Sequence, residues 1–469
     1  TAQVLSSEFY QDPRDPAAKA ALWTLGFSHP VDPKSLERLL SLTRSRGDRP
    51  LPRGEKAPAG LTVSYDEFMG KAYVRSEKLP VPDDDETVAL LLRPGLRSSR
   101  GGEPSAGGLV SPVTVPGMYT YFRGERADAA LPRGDDGDPR QVLALSFTAE
   151  ALEKDAAART RAWLLPPDLP PAPGRKGVAG YFWHDPADVG PFVLAAARPV
   201  PLTPLPAAAD HARLQSFGFQ APPGRFLYVR VSKGTRAFGG YVLSRDYDAV
   251  VRVPAYPREL RIMGQGSILS PGGAKRVAVL ARGLRAVRFE VGRVLPGELD
   301  HLVSQSGGRM SDPSFTGGFG PDDVVERFTR VERLAAGEPG RAQYASLDLS
   351  PYMSAPGGGR RGLFLVAARA WDPDRDRPDG PSARRLILVT DLGLVAKEGA
   401  GGGRDVFVMS LSAGGPAAGA EVSVLGRNGL PLAAARADAQ GRVSFPSFEG
   451  DVRERQPTAF TARLGEDLS

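Results

Sequence analysis

The 469-residue sequence predicts an all-β protein made of tandem β-sandwich domains in an elongated array, with a few short helices. Glycine and proline are both abundant, at 55 and 44 residues, and follow no tripeptide period, so they indicate frequent turns. Short apolar segments alternate with clusters of Gly, Pro, Asp and Ser, a spacing typical of sandwiches rather than of alternating strands and helices. At about one to two hundred residues per domain, the length predicts roughly three or four domains.

The strands are predicted from short apolar runs and from alternation of apolar and polar residues. In Ala21–Phe27 the apolar residues stand at alternate positions, whereas Thr87–Leu92 is a continuous apolar run. Further segments of these two kinds are Gln141–Phe147, Arg225–Val231, Ala249–Val253, Glu259–Ile262, Lys275–Ala281, Val287–Val294, Gly362–Ala368, Arg385–Thr390, Asp405–Ser410, Glu421–Leu425 and Gly441–Phe445.

Two short helices are predicted. The first begins after Asp32, which is a good N-cap residue, and Pro33 follows where a missing N–H costs nothing. The second runs through Glu150–Arg161. One face of the first helix carries Leu36, Leu39 and Leu40.

An internal repeat organises the first half of the sequence. A strand ending at Phe27 leads into the first helix, and a strand through Phe147 leads into the second. Each copy closes with a similar strand, Val113–Pro116 or Val251–Pro254. We therefore predict sandwiches at residues 1–118 and 119–255, with the second an internal repeat of the first, a third at 256–391 and a fourth at 392–469.

The third and fourth domains carry further turn signals. The third is predicted to contain a long Gly-rich insertion at Gln305–Gly340 and a mobile loop at Trp371–Gly380. In the fourth, Asn428-Gly429 between two strand-like runs predicts a tight hairpin, because these residues tolerate positive φ angles.

Composition excludes several classes of protein. The sequence contains no cysteine, so a catalytic thiol, a disulfide framework and a cysteine zinc site are excluded. Four histidines make a multi-histidine metal site improbable, and no apolar run approaches the roughly eighteen residues that span a bilayer. The net charge is +6, but the basic residues are scattered among acids, whereas a nucleic-acid protein shows a basic stripe with interleaved aromatic residues. The strand-like opening at Thr1 leads us to expect that a leader was lost upstream.

Asp372, Asp374 and Asp376 alternate as in a loose calcium loop. Calcium needs about six to eight oxygen ligands, and here Arg375 and Arg377 interleave with the acids. A solvated hairpin tip is the favoured interpretation, with a calcium site as the alternative.

The acidic run Asp83–Glu86 precedes a strand. Four adjacent carboxylates attract cations, but such runs more often keep a strand edge soluble. We therefore expect solvated side chains at a sheet edge.

Tyr181–Asp185 is the densest aromatic cluster. His184 beside Asp185 has the composition of an oriented base, but no local signature identifies a nucleophile. We expect core and turn packing from this cluster, and we expect His29 to fix the corner between the first strand and helix rather than to bind a metal.

Gly264–Gly266 and Gly399–Gly403 are rich in glycine, but neither lies in a strand–loop–helix unit, which a phosphate site requires. Sequence reasoning thus predicts no catalytic, cofactor-binding or metal-binding residues, and therefore no enzyme.

Three sets of segments resemble the N-terminal macroglobulin-like domains of bacterial alpha-2-macroglobulins. The first set is Glu8–Pro13 with Phe27–Pro33. The second is His301–Gln305 with Gly317–Phe319 and Glu326–Phe328. The third and most specific resembles the bacterial macroglobulin module and comprises Val389–Lys397, Val406–Leu411, Gly419–Val422, Arg427–Gly429 and Asp438–Val443.

The resemblance implies macroglobulin-like, Ig-like sandwiches from a periplasmic, broad-spectrum endopeptidase inhibitor that traps proteases. Family members offer a cleavable bait segment, and many carry a Cys-Gln thioester, which these residues cannot form because they contain no cysteine. The implied partners are host or foreign proteases through the full-length protein and other periplasmic proteins, without nucleic acid and without cofactors. Association with the inner membrane is expected only through residues upstream of Thr1.

Two alternatives remain open at this point. Tandem Ig-like domains also build adhesins and surface binding arrays. A carbohydrate-active enzyme fragment with accessory sandwiches would need a carboxylate pair about 5–10 Å apart in a sugar-binding cleft, which a sequence cannot reveal.

Overall fold

A computed structural model describes residues 1–47, 49–50, 60–207, 209–307, 309–314, 325–353 and 361–469. The chain divides into two compact units. The first comprises Thr1–Gly134 and Pro139–Ala255, and the second comprises Asp135–Asp138 and Tyr256–Ser469. In the described parts of the chain, no helix has the length and apolar character needed to span a bilayer.

The first unit begins with a sandwich of two four-stranded antiparallel sheets. Its core lies between them, with Trp23, Val74, Leu90 and Val113 all less than a tenth exposed. One sheet has the order β1-β2-β6-β5 and the other β4-β3-β7-β8. The elements are β1 (Ala2–Gln11), β2 (Lys19–Phe27), α1 (Pro33–Leu39), β3 (Leu40–Arg46), β4 (Arg49–Pro50), β5 (Leu61–Tyr65), β6 (Lys71–Ser76), β7 (Glu86–Leu92) and β8 (Leu109–Val115).

A second sandwich completes this unit around buried Leu145, Phe147, Phe217 and Val229. Its sheets have the orders β13-β14-β10-β9 and β12-β11-β15-β16. The elements are β9 (Gly124–Ala130), β10 (Val142–Leu152), α2 (Glu153–Arg159), β11 (Thr160–Leu164), α3 (Pro191–Ala196), β12 (Arg198–Val200), β13 (Thr203–Leu205), β14 (His211–Gly218), β15 (Phe226–Val231) and β16 (Tyr247–Arg252).

The two sandwiches of the first unit have the same strand order. Adding eight to each strand number of the first sandwich reproduces both sheets of the second. A helix follows the second strand of each copy, α1 after β2 and α2 after β10. This shared topology agrees with the repeat in the sequence.

The second unit opens with a sandwich of a three-stranded sheet, β17-β19-β22, and a five-stranded sheet, β18-β24-β23-β20-β21. Val279, Phe289, Leu347 and Val366 are buried between these sheets. The elements are β17 (Glu259–Ile262), β18 (Ile268–Leu269), β19 (Arg276–Arg282), β20 (Ala286–Val294), α4 (Leu299–Gln305), β21 (Val325–Arg333), β22 (Gln343–Asp348), β23 (Gly362–Asp372) and β24 (Arg377–Val389).

The fourth sandwich pairs a three-stranded sheet, β25-β26-β29, with a four-stranded sheet, β28-β27-β30-β31. Its core includes Val406, Val408, Val422 and Val443. The elements are β25 (Leu392–Glu398), β26 (Arg404–Ser410), β27 (Glu421–Gly426), β28 (Pro431–Arg436), β29 (Arg442–Phe445), β30 (Pro457–Leu464) and β31 (Asp467–Leu468).

The predicted all-β class with short helices is confirmed, whereas the four domain boundaries stay a prediction. Both predicted helices are present, with two corrections. The side chain of Asp32 makes no capping hydrogen bond, and this residue is held through its backbone N–H, which donates to the Arg97 carbonyl at 3.1 Å. The second helix is shorter than predicted, because β10 continues to Leu152.

The third sandwich also differs from the prediction at two places. The Gly-rich insertion at Gln305–Gly340 contains a nine-residue strand, β21, at the edge of the five-stranded sheet. Trp371–Gly380 is not a loop. It holds the ends of β23 and β24 and the short turn that joins them, and the Trp371 side chain is 5% exposed.

Candidate functional site

The five-stranded sheet of the third sandwich is apolar on both faces at one end. Its inner face contributes Phe364 and Ile387 to the sandwich core. Its outer face presents four leucines that form a separate buried cluster, Leu363, Leu365, Leu386 and Leu388. This burial explains why the sequences of β23 and β24 contain continuous apolar runs, since a strand covered on both sides needs no alternation.

Residues of α4 and of the fourth sandwich cover these leucines. Leu299 and Leu302 of α4 pack against the outer face, and so does Leu468 of β31. Met310 also packs there, and its carbonyl accepts a 2.8 Å hydrogen bond from the Leu386 N–H. We call this contact between the third and fourth sandwiches the joint.

Asp467 ties the end of the chain to the connection between the two sandwiches. The carboxylate is 4% exposed and accepts hydrogen bonds from the Thr390 hydroxyl at 2.7 Å and the Asp391 N–H at 3.0 Å. Arg361 Nε lies 3.3 Å from its second oxygen. A buried carboxylate is stable only when such donors satisfy it, so this arrangement fixes β31 against residues 390–391.

A second carboxylate holds the start of the fourth sandwich. Asp391 accepts from the Ser410 hydroxyl at 2.7 Å and from the Ser412 N–H at 2.8 Å. These bonds hold the pKa of Asp391 below its usual range, and the bond from the Ser410 hydroxyl has the largest effect. Residues 390–391, which connect the two sandwiches, are therefore hydrogen-bonded both to Asp467 and to Ser410 and Ser412.

The predicted hairpin at Asn428-Gly429 reaches the other side of the joint. β27 and β28 do form a hairpin, but four residues connect them, and only Gly429 has a positive φ, of 83°. A side chain at this glycine would meet the Asp300 carbonyl oxygen of α4 at 3.1 Å. Beside it, Arg463 of β30 pairs with Asp300 at 3.2 Å.

A cleft of about 670 Å³ opens at the joint. Leucine, phenylalanine and methionine side chains line much of it, and Asp312 and Arg309 lie among its charged lining residues. Among the described residues, no group of three or more His, Asp or Glu side chains is placed to hold a metal ion. The joint therefore packs the two sandwiches against each other and fixes their relative orientation.

The alternating aspartates at the tip of β23 and β24 are bound within the protein. Asp372 accepts from the N–H groups of Asp374 and Arg375, and this lowers its pKa. Arg285 pairs with both Asp372 and Asp374, and Trp371 Nε1 donates to Asp376 at 3.1 Å. The geometry is that of a hairpin tip closed by its own hydrogen bonds.

The expectation for Glu86 is wrong. β7 lies between β3 and β8 and is not an edge strand, and Glu86 is 2% exposed. It forms ion pairs with Arg44 and, at 2.8 Å, with Arg46. Asp85 also has a structural role, since it accepts from the Gly117 N–H at 2.9 Å, whereas Asp83 and Asp84 are exposed.

Trp183 of the aromatic cluster packs as expected, although the cluster lies outside the strands and Phe182 is 61% exposed. Trp183 is 1% exposed, its Nε1 donates to the Pro166 carbonyl at 2.9 Å, and Tyr181 packs edge-on against it. Asp185 caps a short turn by accepting from the Ala187 N–H at 2.8 Å, so it does not orient His184.

His29 is exposed, with Nδ1 3.2 Å from the Ser28 hydroxyl, at the corner between β2 and α1.

The two Gly-rich stretches connect strands. Gly399–Gly403 turns between β25 and β26, and Gly264–Gly266 lies between β17 and β18. Buried Arg385 donates to the carbonyls of Met263 at 3.0 Å and Gly266 at 3.3 Å, and burial lowers its pKa. The segment Gly317–Phe319 lies outside the described residues.

Sequence reasoning missed α4 and the pairing of Asp467 with Thr390. The helix is short and ends at Gln305, where the predicted insertion begins, and the pairing joins residues 77 positions apart. The continuous apolar runs of β23 and β24 were the available signal that a second element covers this sheet.

Residues 389–469, which include β25–β31 and the connection at the joint, match the family model described as the bacterial alpha-2-macroglobulin MG3 domain. An alpha-2-macroglobulin homolog of Yersinia pestis is 30% identical over 480 residues, which cover 100% of this chain and 24% of the relative. The chain is homologous to the bacterial alpha-2-macroglobulins. Alpha-2-macroglobulin of Pasteurella multocida is 27% identical, covering 100% of this chain and 25% of the relative.

The alpha-2-macroglobulin resemblance inferred from short segments is thus confirmed. The chain spans about a quarter of the length of these curated relatives. A crystal structure of native alpha-2-macroglobulin from Escherichia coli, spanning domains MG0-NIE-MG1, covers 74% of this chain and 95% of its own, with a TM-score of 0.48 and 18% identity.

Proposed function

We propose that this chain is a non-catalytic scaffold segment of a bacterial alpha-2-macroglobulin-like, broad-spectrum endopeptidase inhibitor. The observation that carries the proposal is the alignment with alpha-2-macroglobulins along 100% of the chain. Proteases are the partners of the full-length protein, and its compartment is the periplasm. Any thioester lies in other parts of the parent, because this sequence has no cysteine. We place the bait in other parts of the parent as well.

The joint supports a mechanical role. Its leucine cluster, the bonds of Asp467 and the contact of Gly429 with α4 hold two sandwiches in one orientation. A protease trap needs rigid parts that hold a distant bait and transmit the effect of its cleavage. Two sandwiches fixed to each other transmit displacement better than two sandwiches on a flexible linker.

The test uses the full-length parent protein and a general protease such as trypsin or elastase. After mixing, residual protease activity is measured on a large protein substrate and on a small peptide substrate. A trap blocks the large substrate and spares the small one, and its cleavage gives a compacted species on a native gel. Full cleavage of both substrates without compaction would contradict the proposal.

The 469-residue chain alone is the matched control. As a scaffold without bait, it leaves the cleavage of both substrates unchanged when it is added at an equimolar ratio to the protease. Inhibition by the isolated chain would contradict the scaffold assignment, while leaving membership of an inhibitor family intact.

A further inference from the structure

The outer face of the five-stranded sheet changes character along its length. Beyond the four leucines of the joint, its strands carry four arginines and one carboxylate, that of Glu290. Arg369 and Arg384 are 47% and 44% exposed. We call this half of the sheet the arginine face, and its arginines are Arg288, Arg333, Arg369 and Arg384.

Two of these arginines stand directly opposite each other. Arg288 of β20 is the register partner of Arg369 of β23. Like charges at opposed positions destabilise a sheet. Glu290 serves both, with its Oε1 at 3.5 Å from Arg369 Nε and 3.8 Å from Arg288 Nε. One carboxylate shared by two guanidinium groups leaves an excess of positive charge.

The arginine face is partly preorganised. The guanidinium of Arg288 lies over the ring of Trp371, 4.5 Å from its centre, and this contact restrains the side chain. Arg384 lies 3.5 Å from Asp312, whose side chain is 85% exposed and easily displaced. Restrained guanidinium groups lose less conformational entropy on binding, and their planar donors match carboxylates in a bidentate geometry.

The surroundings of the arginines favour a protein partner. Thr329 and Val331 lie among them on the outer face, and Val331 is 44% exposed, so a peptide surface finds aliphatic as well as ionic contacts. Trp371 is 5% exposed and has no free ring face on which a nucleic-acid base could stack. Insertion into a membrane surface requires protruding apolar side chains, and this face presents mainly guanidinium groups.

We propose that the arginine face binds a carboxylate-rich surface of another protein. Charge complementarity supplies the attraction, and the interleaved aliphatic residues supply the contact. This interaction goes beyond the scaffold role and does not depend on the trapping of proteases.

The test measures binding of the 469-residue chain to poly-L-glutamate at low and at physiological salt. The variant Arg333→Gln/Arg369→Gln/Arg384→Gln weakens binding about tenfold or more, because three ionic contacts are removed. The matched control Arg14→Gln/Arg100→Gln/Arg245→Gln removes the same charge from exposed positions of the other unit and changes the affinity less than about twofold. Circular dichroism verifies that both variants are folded.

A second variant makes the result independent of arginine loss. Thr329→Glu places a carboxylate among the arginines at an exposed position and weakens binding as well. Absence of binding by the wild-type chain, or equal losses in the face and control variants, would overturn the proposal. Tighter binding to duplex DNA or to phosphatidylglycerol vesicles than to poly-L-glutamate would also overturn it, because the partner class would then be wrong.

Discussion

The Thr390 hydroxyl donates a 2.7 Å hydrogen bond to the carboxylate of Asp467, which lies 77 residues further along the chain. Thr390 follows the last strand of one sandwich, and Asp467 begins the last strand of the next. Thr390 is 0% exposed, so water does not compete for this bond. The two residues thus link the two ends of the fourth sandwich at the joint.

Replacing Asp467 with alanine is expected to weaken the joint. The change leaves the Thr390 hydroxyl and the Asp391 N–H without their acceptor, at a cost of about 3 kcal/mol in the free energy of unfolding. Urea unfolding of the 469-residue chain measures the loss. Glu398→Ala, at a 60% exposed ion pair of the same domain, is the control and changes stability by less than about 1 kcal/mol. Equal effects of the two changes would show that the carboxylate does not hold the joint.

Gly429→Ala tests the contact of the hairpin with α4. The positive φ alone costs about 1 kcal/mol, and the new methyl group also meets the Asp300 carbonyl, which adds about 1–2 kcal/mol. Gly419→Ala is a matched control, because its φ is 79° but nothing lies within 4 Å of the added carbon. Thermal unfolding measures the melting temperature of each variant. Equal melting temperatures would disprove the contact with α4.

Leu386→Ala is expected to open a cavity at the joint. This side chain is 0% exposed on the outer face of β24, so its truncation lowers the free energy of unfolding by about 3 kcal/mol. Val331→Ala truncates a 44% exposed side chain on the same face, and its effect stays within about 0.5 kcal/mol. Denaturant unfolding of both variants compares the buried and the exposed half of the outer face of this sheet. A small loss of stability in Leu386→Ala would argue that α4 and β31 do not cover the leucines.

Acid is expected to loosen the start of the fourth sandwich. The pKa of Asp391 in the folded protein is lowered from 3.8, and the hydrogen bond from the Ser410 hydroxyl is the largest cause. The ionised carboxylate therefore stabilises the fold fully above pH 3.8. This stabilisation is lost as the pH falls through the lower pKa of the folded state. Hydrogen exchange of β25 and β26, measured between pH 5 and pH 2, should accelerate over this window after correction for intrinsic rates. In Asp391→Asn this acceleration is reduced. Identical pH profiles in wild type and variant would contradict the assignment.

Glu86→Gln tests the buried ion pairs of the first sandwich. Neutralising this 2% exposed carboxylate removes its ion pairs with Arg44 and Arg46, and we expect a loss of about 3 kcal/mol in the free energy of unfolding. Asp84→Asn, two residues earlier and exposed, should have almost no effect. Chemical denaturation provides the comparison. If both changes are tolerated equally, Glu86 does not stabilise this sheet.

Local patterns predicted the strands well, and they failed where distant residues decide the outcome. The alternation in Ala21–Phe27 corresponds to β2, because one face of that strand is buried. The acidic run before β7 gave no indication that Glu86 would meet two arginines of β3, because that pairing depends on strand register. Asn428-Gly429 identified a hairpin but not its length, since four residues connect β27 and β28 and only Gly429 among them has a positive φ.

The candidate site was the least predictable part. Its leucines are visible in the sequence as continuous runs, yet a run alone does not reveal which element covers it. Asp467 and Thr390 are ordinary residues, and their importance arises from burial at a joint formed by segments far apart in the chain.

The shared strand order of the first two sandwiches has a consequence for folding. Every strand of one copy has a topological counterpart in its neighbour, so a newly made chain faces the danger of exchanging equivalent strands between the two. Divergence of the copies opposes that exchange. With Phe27 aligned to Phe147, β2 places Trp23 where β10 carries the smaller Leu143, so a strand in the wrong copy would leave a void or a clash. The difference in sequence between the two copies thus protects the chain against mispairing.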